Sequence, residues 1–191
     1  SSNLKPDVLF IAAESDLLTG DYQQAAQNYQ TYMQAAAKHP NRQQAAVRYG
    51  LALHLNKQHQ QAIEWLSDNP VTVPELKGQQ LAIVGRSYSA MENWQQAADT
   101  LKQSITANPT GKANDETYVA LAEAYRNLGQ ETLADQQLRE VLTSFPKSRY
   151  AAEASFRLAE ASYAAERFPE AISRYQVVVD KFPKSDFAPH A

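Results

Sequence analysis

The sequence predicts an all-α fold, a superhelical solenoid of about five helix-turn-helix units, and three observations carry that expectation. First, small residues recur: the pairs Ala25-Ala26, Ala62-Ile63, Ala97-Ala98, Ala134-Asp135 and Ala171-Ile172 begin at intervals of 37, 35, 37 and 37 residues. A fixed period in this range is the signature of repeat architectures. Second, each pair has the same surroundings. A bulky residue follows four positions on (Tyr29, Leu66, Leu101, Leu138, Tyr175), a proline closes three units (Pro109, Pro146, Pro183), and a small residue precedes three (Gly85, Ala122, Ala159). Third, the composition suits helices. There are 6 Gly in 191 residues, too few for an architecture of strands and turns, and 43% of the residues are hydrophobic.

The fourth unit, residues 113–147, shows the pattern most clearly. Tyr118, Leu121, Ala122 and Tyr125 share one face of a helix over 113–128, and Ala134, Leu138, Val141 and Leu142 share one face of a second over 130–144. Leu128-Gly129-Gln130 turns between them, with the glycine as a left-handed stop. The matching turns are Thr19-Gly20-Asp21 in unit 1 (4–40), Asn56-Lys57-Gln58 in unit 2 (41–75), Met91-Glu92-Asn93 in unit 3 (76–112) and Ala165-Glu166-Arg167 in unit 5 (148–185). In unit 1 the second helix is expected to run three residues longer, to Pro40. In unit 2, the poorest, Pro70 and Pro74 should cut the second helix short. Gly85, Ala122 and Ala159 are expected to face Ala97, Ala134 and Ala171, letting backbones approach closely. Tyr88 and Tyr125 should fill the gap to the next helix, and Asn114 and Ser148 should cap helix starts.

Residues 183–191 repeat the wording of 146–154, so 186–191 read as the start of a sixth unit that stops after one turn. A repeat array needs a polar cap on its last apolar face. The missing cap predicts a piece of a longer array, with Ser1-Ser2 read as additions to it.

Residues 81–109 resemble a tetratricopeptide repeat (TPR), with Leu81, Val84, Gly85, Tyr88, Ala97, Leu101 and Pro109 at the family's offsets. Residues 118–146 resemble it equally well, residues 155–183 resemble it through Leu158, Ala159, Ala171, Tyr175, Val178 and Pro183, and the likeness covers nearly the whole chain. It implies a stack whose first helices line a concave groove. Ligand-facing positions carried over by this resemblance include Phe10, Glu14 and Leu17 in unit 1 and Arg86 in unit 3. In unit 4 they are Val119, Glu123, Arg126 and Asn127, and in unit 5 Phe156, Glu160 and Tyr163. Phe10, Val119, Phe156 and Tyr163 would be apolar anchors there, or would pack on the neighbouring unit. One Arg among Glu14, Glu123 and Glu160 is wrong for clamping a terminal carboxylate, as co-chaperone TPR domains do. An apolar, partly basic protein or peptide segment is the expected ligand.

Little else in the chain suggests chemistry. Lys+Arg total 18 against 21 Asp+Glu, a balance without the basic stripe of a nucleic-acid binder. No Cys is present, which excludes disulfides, thiolate zinc sites and thiol catalysis. No HExxH, GxSxG, P-loop or EF-hand pattern occurs. His39, His54, His59 and His190 read as surface residues without a ligand, His54 and His59 being five apart, and the recurring Glu123 and Glu160 as a solvated helix face. No apolar run is long enough to span a membrane. The expectation is therefore a protein that is no enzyme, takes no cofactor or metal, and binds protein. Self-association through uncapped ends, or service as an accessory domain of an enzyme encoded outside these residues, are the alternatives.

Residues 145–151 and 175–185 are similar to phrases in bacterial envelope repeat proteins, both the periplasmic Tol–Pal accessory type and the outer-membrane-assembly lipoprotein type. That resemblance implies the periplasm or cell envelope, with the cytoplasm left open.

Overall fold

A computed structural model describes residues 6–191, so residues 4 and 5 of the first unit, and Ser1-Ser2, lie outside the described residues. Ten α-helices and one 3-10 turn make up the described residues, and no strand occurs among them. Their contacts fall into two compact bodies, here called the N-body (to Pro109) and the C-body (from Thr110).

The N-body holds α1 (Pro6–Thr19), α2 (Tyr22–Ala35), α3 (Arg42–Leu55), α4 (His59–Asp68), α5 (Pro74–Ala90) and α6 (Trp94–Ala107). Each packs on its successor, and α3 also packs on α5. The C-body holds α7 (Asn114–Asn127), α8 (Glu131–Ser144), α9 (Ala151–Ala164) and α10 (Phe168–Lys181), again packed in sequence, with a 3-10 turn at Ala188–His190.

One turn geometry joins every helix pair. Gly20, Lys57, Glu92, Gly129 and Glu166 all have positive φ, between 58° and 86°. The residue after each donates its backbone N–H to a carbonyl five positions back: Asp21 to Asp16, Gln58 to Leu53, Asn93 to Tyr88, Gln130 to Tyr125 and Arg167 to Ser162, all at 2.9 Å. This is the Schellman closure of a helix C-terminus. The turn is backbone-built, which is why three units make it without glycine.

Small residues set the helix spacing. Ala25, Ala62, Ala97 and Ala134 are fully buried, as are Ala122, Ala159 and Ala171 to within 2%. Ala122 and Ala134 share one core cluster, as expected, whereas the nearest neighbour of Gly85 is not Ala97. Gly85 abuts Leu101, one turn beyond Ala97: a Cβ there would lie 2.6 Å from Leu101 Cγ. Gly50 meets Leu66 in the same way, at 2.5 Å. The glycine therefore receives a leucine as a knob, rather than matching small to small. Tyr125 does pack on the Val119, Ala122, Ala134 and Leu138 cluster.

Other local expectations change too. α2 ends at Ala35, ten residues past Ala25 as α6, α8 and α10 end ten past their alanines, so the extra residues before Pro40 form a loop and do not extend the helix. α4 is short, 10 residues, ending before Pro70, whereas Pro74 opens α5. Proline suits a first helical turn, whose N–H groups have no helical acceptor. Buried Gln80 secures the shortened end by donating to the Leu66 and Asn69 carbonyls. Neither expected cap residue holds the position before its helix. Ala113 precedes α7 and Tyr150 precedes α9, without side-chain capping. Ser148 instead closes a turn before α9, accepting the Tyr150 N–H at 3.0 Å and donating to Asp115 at 2.6 Å.

Candidate functional site

In the N-body, three of the residues nominated from sequence, Phe10, Glu14 and Leu17, are tied into the core of α1–α3. Phe10 is half-buried, its ring 6.2 Å from that of Tyr29 and 5.5 Å from that of Tyr32. Glu14 accepts the Tyr29 hydroxyl proton and stands 3.4 Å from Arg48. Burial first, then that hydrogen bond, push the Tyr29 phenol well above its usual range. Leu17 packs half-buried against the same core. Arg86 is half-buried on α5 beside His54.

The histidines depart from the surface reading. His54, in the last turn of α3, puts Nδ1 2.8 Å from Ser87 Oγ and 3.3 Å from His59 Nδ1. Ser87 gives its own proton to the Ile83 carbonyl, so His54 serves as donor to the serine. Enclosure, then the charges of Arg86 and His59, hold His54 down at about 4. Helical spacing missed this contact because His59 opens the next helix and the left-handed Lys57 folds it back. His39 is engaged as well, with the Tyr32 hydroxyl 2.8 Å from Nδ1 and Asp7 3.1 Å from Nε2. Among the described residues no group of three or more His, Asp or Glu is placed to hold a metal ion.

The C-body carries a cleft of about 1100 Å³ between the α7–α8 and α9–α10 turns. Three nominated residues meet there: Arg126, Glu160 and Tyr163. The other four lie elsewhere. Val119 is buried in the core, Glu123 is exposed, Asn127 donates to the Glu123 carbonyl, and Phe156 packs edge-on to Tyr175 at 5.6 Å and tilted against Phe187 at 5.5 Å. The cleft also takes residues that spacing alone did not nominate, chiefly Glu131, Asp135 and Arg139 of α8, Arg167 of the turn before α10, and Glu170 and Tyr175 of α10. They belong to second helices and turns, whereas the family positions were drawn from first helices.

The cleft wall mixes charge with aromatic surface. Tyr163 is 60% exposed and meets Phe168 edge-on at 5.6 Å. Burial, then Glu160 and Tyr163, raise the Tyr175 phenol. Hydrogen bonds from Arg174 and Arg167 hold the Glu170 carboxyl below its usual range. Such a surface can hold a ligand by apolar contact and paired charge.

The profile of the YfiO family, described as outer membrane lipoprotein, matches residues 2–191. The chain belongs to the YfiO family. No curated protein matches it significantly. Among solved structures, this YfiO-family chain is similar to MamA, at a TM-score of 0.73 and 18% identity, covering 97% of this chain and 94% of that one. A MamA from Desulfovibrio magneticus RS-1, residues 41 to the end, gives 0.74 at 15% identity, with 97% and 99% covered. The nearly identical TPR-like repeats of a kinesin light chain protein from Podosopora anserina give 0.70 at 20%, with 91% and 94% covered. A further match is the Rap conjugation regulator of plasmid pLS20 solved with the Phr* peptide, at 0.66 and 17%, covering 93% of this chain and 53% of that one. These likenesses establish the all-α solenoid of TPR type that the repeat period predicts. No helix among the described residues of this YfiO-family chain is long and apolar enough to cross a membrane.

Proposed function

We propose that the chain is a non-catalytic scaffold of the bacterial cell envelope, part of a larger protein, which holds a partner's protein or peptide segment in the C-body cleft. The observation that carries this reading is the convergence of Arg126, Glu160 and Tyr163 on one cleft large enough for several side chains. Pockets that bind small ligands run to roughly 300–1,000 Å³. The exposed Tyr163 ring, backed by Phe168, is a rigid amphipathic anchor of the kind that dominates protein interfaces. The outer membrane lipoprotein family supports the envelope, and the Rap regulator offers a precedent for peptide binding on this fold.

Photo-crosslinking tests the reading. A crosslinking residue placed at Tyr163 or at Thr132 should capture a discrete envelope protein, and one at the exposed Gln103 of the N-body should not. Equal capture from all three positions would refute the cleft as the site.

Self-association is a second reading, favoured by two open apolar stripes. Ile11 and Leu18 of α1 are 67% and 85% exposed, and Ile172 of α10 is 68% exposed. Sedimentation velocity at rising concentration should show a dimer that Ile172→Ser abolishes; a monomer throughout removes this reading.

A further inference from the structure

The cleft's charges are unevenly satisfied. Arg167 and Arg174 both bind Glu170, each at 2.8 Å. Arg126 stands 3.9 Å from Glu131, at the outer limit of an ion pair. Two carboxylates on the walls are short of donors, Asp135 in a long ion pair with Arg139 and Glu160, among the described residues, in none. Asp135 on α8 is only 19% exposed; its Oδ2 is 4.0 Å from Arg139, beyond hydrogen-bonding distance, while Oδ1 is shielded from water and accepts no hydrogen bond. Glu160 on α9 is exposed in the cleft, and among the described residues no cation stands within ion-pairing distance of it. Its field is felt by the Tyr175 phenol instead.

A dehydrated carboxylate oxygen without a donor is costly, and a charged donor relieves that cost better than a neutral one. The aromatic wall narrows the choice of donor. Tyr163 and Tyr175 line the same cleft, and a planar guanidinium stacks on an aromatic face while its edge donates to carboxylates. An ammonium has no such plane, and an anionic group beside the tyrosines would meet the unpaired Glu160.

We infer that the cleft recognises an arginine of the partner segment, its guanidinium lying against Tyr163 and Tyr175 and donating to Glu160 and Asp135. Asp135 Oδ1 is shielded from the cleft, so the guanidinium meets Asp135 through Oδ2, the oxygen that also faces Arg139. The cleft volume exceeds one side chain, so the residues flanking the arginine enter with it. This inference rests on the cleft being a peptide site, as proposed above.

The test uses the whole chain, isotopically labelled for NMR, titrated with two capped tripeptides, acetyl-Leu-Arg-Leu-amide and its citrulline counterpart. Citrulline keeps the shape and removes the charge. The arginine peptide should shift amide resonances of 131–139 and 160–167, and the citrulline peptide should bind those residues about fivefold more weakly, the upper end of what one partly exposed ion pair supplies. Glu160→Gln, an exposed change that leaves the fold intact, should cost the arginine peptide about the same factor and leave the citrulline peptide unaffected. Equal binding of the two peptides at the cleft would overturn arginine recognition and leave the peptide site standing. Shifts from neither peptide in the cleft would overturn both.

Discussion

Placing a methyl group on Gly85 tests the packing that joins the helices of the two units with a glycine at this position, Gly50 and Gly85. Its Cβ would sit 2.6 and 2.8 Å from Leu101 Cγ and Cδ2 and 3.2 Å from the Leu101 backbone nitrogen. Ordinary contact begins near 3.4 Å, so the overlap with the side chain approaches 1 Å. Leu101 is fully buried and has nowhere to go, and the backbone atom cannot yield without moving α6 from α5. Overpacking of this kind costs roughly 1–3 kcal/mol. Replacing a helical glycine by alanine returns about 0.5–1 kcal/mol. The net expectation for Gly85→Ala is a loss of about 1–2 kcal/mol, or a few degrees of Tm for a chain of this size. Leu101→Ala alone should cost about 2–5 kcal/mol. In that background the new methyl has room, and Gly85→Ala should turn neutral or mildly stabilising. Thermal and urea melts followed by circular dichroism measure the cycle. A Gly85→Ala single variant more stable than the parent, or strict additivity of the two changes, would refute the knob-in-glycine packing.

Three further outcomes follow from the same geometry. Ala134→Leu puts a large side chain at a fully buried helix contact and should cost roughly 1–3 kcal/mol in a urea melt. Glu166→Gly, at φ 58°, should stabilise by up to about 1 kcal/mol in the same melts, since removal of left-handed strain outweighs the added freedom of the unfolded chain. Because His54 titrates near 4 when folded and near 6.5 when unfolded, the folded state binds fewer protons. Its contribution is present in full above pH 6.5 and is lost as pH falls toward 4; His54→Gln should flatten the Tm-versus-pH curve in that window.

The helix pairs and their phase were legible because each depends on local chemistry repeated five times. Ala25, Ala62, Ala97, Ala134 and Ala171 mark the buried contact, and Pro70 and Pro109 mark helix ends. What escaped detection were effects that local patterns do not encode. Lys57, Glu92 and Glu166 adopt the same left-handed turn as Gly20 and Gly129, so the turn conformation is held by the helix ends and not by residue type. Ser148 looks like a cap, yet bonding to Asp115 diverts it into a turn. His54 and His59 meet only because two helices fold back on each other.

The candidate site was legible in smaller part. Arg126, Glu160 and Tyr163 came from the family's groove positions and do gather in one cleft. Their counterparts Asp135 and Arg139 lie on a second helix, outside any pattern of first-helix positions. Phe10 and Val119 have groove spacing too, but their neighbours draw them into the cores. Spacing reports which face a residue occupies; how much room lies above that face depends on the size of side chains from elsewhere.

The most direct measurement is hydrogen exchange on the full chain, alone and saturated with the partner captured from Tyr163. Slowed exchange over 126–139 and 160–175, with the N-body unchanged, is the result expected of a C-body cleft that holds a partner. Slowing confined to the open face of α1, with residues 126–139 exchanging as before, would contradict it.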